Sequence, residues 1–148
     1  MADISDAVRM LADAAGWSIP KPENGTYSFR LDDNIDMSLS APDGKTLFFR
    51  ARLAPLPASP ADATAMLAQC AHDAVGAVRQ RSSICSLEDT HLMLHASIPL
   101  REALTDTQRL TTTAKNFLND LAWWHTRLNP AAQAAQTAPS FFSGGFSL

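Results

Sequence analysis

The sequence has few of the residues that mark a disulfide-stapled, membrane-spanning or nucleic-acid-binding protein. Its two cysteines, Cys70 and Cys85, are too few for a disulfide framework. No stretch approaches the roughly 20 apolar residues of a membrane span, and Asp3 and Asp6 stand where a signal peptide carries basic residues. The net charge of -3 leaves no basic excess to neutralise phosphates. We therefore expect a cytoplasmic protein with reduced thiols and no nucleic-acid partner.

The residues that are present describe one ordinary globular domain. Hydrophobic residues make up 46% of the chain and charged residues 18%, which separates it from disordered sequences. The last stretch is rich in Ala, Gln, Ser and Gly. We predict a single domain over 1–128 and a flexible tail over 129–148. The end of that tail, with Phe141, Phe142 and Phe146, is either a loose terminus or docks on an apolar groove.

Hydrophobic periodicity predicts three helices and five strands. Apolar residues at helical spacing predict helices over Asp3–Ala15, over Pro60–Gln80, and from a cap at Thr105 or Asp106 to about Leu128. Alternation of apolar and polar residues predicts strands over Tyr27–Leu31, Ile35–Leu39, Thr46–Leu53, Ser83–Leu87 and His91–Ile98. The order α-βββ-α-ββ-α predicts an α+β fold in which helices flank an antiparallel sheet.

Signals for catalysis or metal binding are weak. His91 and His95 lie about 13 Å apart along a predicted strand, too far to share a zinc ion with Zn–N distances of about 2.0–2.1 Å. Cys85 together with a distant histidine, or a histidine by itself, could still be the reactive group of a small cytosolic enzyme, although a buried structural cysteine is the commoner state. We predict no catalytic residue, no metal and no cofactor, and keep the small enzyme as an alternative.

Two adjacent tryptophans occupy the last predicted helix. Trp124 falls on its buried stripe, whereas Trp123 lies about 100° away around the helix. Trp123 either packs at the edge of the core or is exposed at a protein interface, where tryptophan is enriched.

The order of elements resembles the class I type III secretion chaperones, the Tir chaperone family. The most telling stretch is His91–Leu100, because the last strand of that family similarly ends in a Leu-Pro-like step before an apolar and aromatic helix, here with Phe117, Leu121 and Trp124. The stretches Tyr27–Leu31 and Leu47–Ala51 are similar to its first and third strands. The resemblance extends over about Asp3–Leu128.

The resemblance implies a homodimer that binds the N-terminal region of a secreted effector in extended form, without ATP or other cofactors. In the family, the second helix and the fourth strand commonly supply much of the dimer contact. Carried over to this sequence, the implied dimer residues are Leu67, Cys70, Ala71, Ala74, Val78 and Ile84.

An extended effector segment needs an open strand edge for its backbone and apolar patches for its side chains. We predict that Phe48, Arg50 and Arg52, with Met93 and His95 beside them, form the effector-binding surface, since all five alternate with the core-facing residues. A register shift of one residue would turn all of them inward. A protein-interaction domain of the same fold without a secreted client is the remaining alternative.

Overall fold

The computed structural model describes residues 3–32 and 35–128. The predicted tail over 129–148, including Phe141, Phe142 and Phe146, lies outside the described residues. Within those ranges the elements are α1 (Ile4–Ala15), β1 (Tyr27–Asp32), β2 (Ile35–Ser40), β3 (Thr46–Pro55), α2 (Pro60–Ala77), β4 (Ile84–Glu88), β5 (His91–Pro99), α3 (Leu100–Thr105) and α4 (Thr107–Leu128).

The five strands form one antiparallel sheet in the order β1-β2-β3-β5-β4. The two-residue turn of Asp89 and Thr90 closes the β4–β5 hairpin, with Asp89 in a left-handed conformation that Asp tolerates. The hairpin folds back so that β5 pairs with β3 and β4 becomes an edge strand. The predicted α+β fold, an antiparallel sheet with flanking helices, is confirmed.

One face of the sheet carries the hydrophobic core. The α4 helix packs across β3 and β5, and α1 packs against α3 and α4. The rings of Phe49 on β3 and Phe117 on α4 lie 5.7 Å apart between their centroids, and both side chains are fully buried, as are Leu94 and Leu121. Each such burial contributes roughly 1.5–3 kcal/mol. We call this the helix-covered face, and the opposite side of the sheet the open face.

The first helix begins and ends where the sequence predicts. The side chain of Asp3 accepts a hydrogen bond from the Ser5 backbone, and Asp6 accepts from the Asp3 backbone, which together form a capping box. The helix ends at Gly16, whose φ of 74° is left-handed.

Two predictions about the later helices need correction. The short α3 helix, Leu100–Thr105, was not predicted, because six residues are too few to show a helical period. The α2 helix was predicted to reach Gln80 but ends at Ala77. The backbone amides of Gln80 and Arg81 both donate to the Ala77 carbonyl, so the chain tightens into a turn there.

The α2 helix packs on the domain along a narrow strip. Its buried residues are Cys70 and Ala77, with Leu67 and Ala74 partly buried against the core. Within the described residues, no helix is long and apolar enough to cross a membrane.

Candidate functional site

Exposed apolar side chains concentrate on α2 and β4. Val75 on α2 and Val78, which caps its C-terminal end, are 76% and 71% exposed, and Ile84 and Leu87 on β4 are 68% and 48% exposed. The two elements are neighbours in space, since the cysteine that each carries interacts electrostatically with the other. Large apolar side chains that remain in water mark interaction sites when they cluster. Side chains alternate along β4, so Ile84 lies on the open face with Ser86 and Glu88, whereas Leu87 lies on the helix-covered face. We call these four residues, at the end of α2 and on both sides of the β4 edge strand, the apolar face.

The six residues predicted for the dimer contact divide into two groups. Ala71, Val78 and Ile84 are exposed, as a contact surface requires. Leu67, Cys70 and Ala74 instead pack against the core of their own domain. The helical period could not separate the groups, because α2 is apolar over more than one face. Val75 and Leu87, which are exposed beside them, were not predicted.

The open face holds the five residues predicted for effector binding. Cross-strand pairing places Arg50 opposite His95 and Arg52 opposite Met93, while Phe48, Arg50, Met93 and His95 are partly exposed and Arg52 is exposed. The predicted alternation is therefore correct for this face. Whether the surface binds an effector stays a prediction.

A charged network joins three strands of the open face. Nη2 of Arg50 donates to both carboxylate oxygens of Glu88, at 2.6 and 2.5 Å, and this hydrogen bond lowers the pKa of Glu88. Nε2 of His95 lies 3.1 Å from Glu88 Oε2 and 2.6 Å from Ser86 Oγ. Ser86 and Glu88 were not predicted, although their alternation on β4 turns both to the face of His95. The network orders the middle of the open face.

A hollow of about 390 Å³ lies beside this network. The hollow is open because β1 and β2 contribute small serine side chains to it, and because the β3–β5 ladder is interrupted after Arg52. It is lined by Ser28, Asp36, Met37, Ser38, Arg50, Ala51, Arg52, Leu53, Ala54, Pro55 and Met93. Its mixture of hydroxyl, charged and apolar groups suits an extended peptide better than a buried small molecule.

The network of Ser86, His95 and Glu88 lacks the geometry of a nucleophile relay. In such a relay the carboxylate orients one imidazole nitrogen and the hydroxyl faces the other. Here Ser86 and Glu88 both face Nε2 of His95. Burial lowers the pKa of His95, and although the charge of Glu88 opposes this shift, burial is the larger effect.

The cysteine considered as a nucleophile is held in its unreactive form. Burial, followed by the nearby Cys70, raises the pKa of Cys85 to about 11, whereas a nucleophilic cysteine needs a lowered pKa. Burial and then Asp73 also raise the pKa of Cys70. Across residues 3–32 and 35–128, no three His, Cys, Asp or Glu side chains group as metal ligands.

The profile of the Tir chaperone protein (CesT) family matches residues 7–125, which is most of the chain. The chain belongs to the Tir chaperone family. The matched region runs from α1 to the last turn of α4, so it includes both the apolar face and the open face. The family resemblance seen in the sequence is thereby confirmed. A comparison of this family member with curated proteins gives no match.

Solved structures share the fold of this family member. A chain of the ExsC–ExsE complex is 19% identical with a TM-score of 0.60, covering 86% of this chain and 97% of its own. A chain of the HopA1–SchA chaperone–effector complex is 17% identical with a TM-score of 0.54, covering 84% and 98%. A chain from the Yersinia pestis type III secretion chaperone SycH with a fragment of YscM2 is 15% identical with a TM-score of 0.52, covering 80% and 98%.

Proposed function

We propose that this chain is a cytoplasmic, homodimeric type III secretion chaperone that holds the N-terminal region of a secreted effector in extended, export-competent form. The observation that carries this function is membership of the Tir chaperone family over residues 7–125. Two structural neighbours add support, since one belongs to a chaperone–effector complex and the other is a type III secretion chaperone. The proposed mechanism contains no covalent step and uses no cofactor.

The apolar face supports a dimer. Burying apolar surface gains about 25 cal/mol per Å², so Val75, Val78, Ile84 and Leu87 favour any contact that removes them from water. In a two-fold dimer the same patch serves both subunits, which suits residues drawn from one helix and one edge strand. Ala71, one turn of α2 before Val75, is small enough to allow close approach of a second helix.

The open face and the sheet edge support binding of an extended chain. The β1 strand pairs with β2 on one side, and its outer backbone groups pair with no strand of the described residues. An added strand would satisfy those groups. The partly exposed Phe48 and Met93 would receive apolar side chains, and the hollow at Arg52 would receive a polar one. Held in this way, the effector segment is prevented from folding or aggregating.

The proposed dimer is tested by the mass of the protein in solution. We expect light scattering to give a mass near twice 16.0 kDa, and we expect Val78→Lys to give a monomer. Lysine suits the C-terminal end of a helix, so this variant should remain folded by circular dichroism. Gln69→Lys, at an exposed position on the opposite side of α2, is the matched control and should remain a dimer. A wild-type protein that stays monomeric at high concentration would contradict the proposal.

The proposed effector surface is tested by co-expression with the N-terminal segment of a candidate secreted protein, best chosen from a gene beside this one. We expect a soluble complex that survives purification with the wild-type chain and is lost with Arg52→Glu. Arg101→Glu reverses the charge of another exposed arginine, at the start of α3, and should leave the complex intact. Equal capture by both variants would place the effector elsewhere on the chaperone.

A further inference from the structure

Asp120 on α4 is the one buried charged residue among residues 3–31 and 35–128, at 4% exposure. Its Oδ2 accepts hydrogen bonds from the Ser83 hydroxyl at 2.6 Å and from the Ser83 backbone amide at 3.2 Å. Its Oδ1 accepts from Nη1 of Arg81 at 3.1 Å. All three donors belong to the short connection between α2 and β4, which lies 37 to 39 residues away in sequence.

A second contact holds the same connection. The Arg81 guanidinium lies 4.7 Å from the centre of the Trp123 ring, and Arg127 lies 4.8 Å from it. Trp123 in turn packs edge-on against the buried Trp124 at 5.1 Å. Arg81 is therefore fixed by a carboxylate and by an aromatic ring, both on α4. Trp123, left open by the sequence, packs at the edge of the core.

The tethered connection separates the two halves of the apolar face. Val78 precedes Arg81 by three residues, and Ile84 directly follows Ser83. Between them Arg79, Gln80 and Ser82 are exposed. The connection contains no helix or strand. After the turn in which Gln80 and Arg81 donate to the Ala77 carbonyl, the contacts of Arg81 and Ser83 with α4 hold the connection on the domain.

We propose that Asp120 is a positioning residue that fixes the α2–β4 connection on α4 and thereby sets the spacing of Val78 and Ile84 for a second copy of this chain. This inference rests on the proposed dimer. A two-fold contact needs the same arrangement on both subunits. A displacement of Ile84 relative to Val78 would therefore disturb the contact at two places. A buried carboxylate suits this role because displacing its donors leaves a charge without partners in a low dielectric.

The test compares Asp120→Asn with wild type by two measurements. The amide keeps the size of the side chain but loses the charge and one acceptor oxygen. We expect sedimentation equilibrium to show a dimer dissociation constant at least about tenfold weaker. We also expect faster hydrogen exchange at the β4 amides than in wild type, with exchange in β1 and β2 unchanged. Asp13→Asn, an exposed carboxylate on α1, is the control and should alter neither measurement.

The outcomes separate this inference from the proposed dimer. A monomeric wild type would contradict the proposed dimer. The role of Asp120 would then be judged from hydrogen exchange by itself: faster exchange at the β4 amides in Asp120→Asn would support it, and unchanged exchange would overturn it. An unchanged dissociation constant with unchanged β4 exchange would overturn the positioning role. A uniform rise in exchange through all strands would also overturn it, because it would mean a general loss of stability. Should Asp120→Asn fail to fold, Ser83→Ala, which leaves the Arg81 pair intact, is expected to weaken the dimer in the same direction.

Discussion

Burial determines what the ionisable side chains of this chaperone can do. A thiol or an imidazole that is shielded from water favours its neutral form, and both effects occur here. Burial raises the pKa of Cys85 and lowers the pKa of His125 and His95. At His125, on α4, no hydrogen bond offsets the effect of burial, since its Nε2 atom is buried without a hydrogen-bond partner.

Cys85 is expected to react slowly with alkylating agents. A pKa of about 11, against an ordinary 9.0, leaves about a hundred-fold less thiolate at pH 8. Iodoacetamide labelling followed by mass spectrometry should therefore be about a hundred-fold slower at Cys85 in the folded protein than in guanidinium chloride. Its rate should still rise about tenfold per pH unit between pH 8 and 10. Rapid labelling at pH 7 would instead favour the small-enzyme alternative.

His125 is expected to make stability fall as the solution becomes acidic. Because burial lowers the pKa of His125 below its ordinary 6.5, the unfolded chain binds more protons than the folded chain below about pH 6.5. The contribution of His125 to the free energy of unfolding is then fully present above that pH. It declines below that pH, by at most about 1.4 kcal/mol per pH unit for one proton.

Urea unfolding at several pH values between about 5 and 8 measures this dependence. His125→Gln should show a smaller decline than wild type but not a flat profile, since the pKa of His95 is lowered as well. His72→Gln, at an exposed position on α2, should follow the wild-type profile. The lowered pKa of Glu88 changes stability only below its ordinary value of 4.5, outside the pH range of this experiment. Identical slopes for His125→Gln and wild type would contradict the assignment.

At the scale of elements, local chemistry accounts for what could be predicted. The start of α1 follows from Asp3 and Asp6, and its end from Gly16. The side of β3 on which Arg50 and Arg52 lie follows from strict alternation, which is a property of any strand. The bonds from Arg50 to Glu88 and from Ser83 to Asp120 join residues 38 and 37 positions apart. No local period encodes such pairs, so both were missed.

Two glycines provide a matched test of element boundaries. Gly16 has a left-handed φ of 74°, and a Cβ there would meet no atom within 4 Å, so only the backbone conformation opposes a side chain. We expect Gly16→Ala to destabilise the protein by about 1–2 kcal/mol. Gly76, within α2, has equally open space and an ordinary helical backbone. Gly76→Ala should therefore stabilise it by about 0.4–1 kcal/mol.

Both variants are compared by chemical unfolding at one protein concentration, because a dimer couples stability to concentration. If Gly76→Ala lost stability and Gly16→Ala did not, both the left-handed backbone at Gly16 and the helical backbone at Gly76 would be contradicted. A loss in Gly76→Ala alone, accompanied by a change in dimer mass, would place Gly76 in the subunit contact.

For the whole molecule, the arrangement of the two surfaces follows from the sheet order. Since β4 is one edge and β1 the other, a second subunit at β4 and α2 leaves the β1 edge and much of the open face accessible. The fold could be predicted from the order of elements. The division of α2 into core-facing and exposed residues could not, because it depends on where the helix packs.

A dimer formed through the apolar face would make the thermal stability of the protein depend on its concentration. If two copies join through the apolar face, folding and association are linked by mass action, and each tenfold rise in protein concentration should raise the wild-type Tm by about 2–3 °C. Val78→Lys removes the association while leaving the core intact, so its Tm should be lower and independent of concentration. Gln69→Lys should reproduce the wild-type dependence. Differential scanning calorimetry over a hundred-fold concentration range distinguishes these results, and a concentration-independent wild-type Tm would contradict self-association through Val75 and Val78.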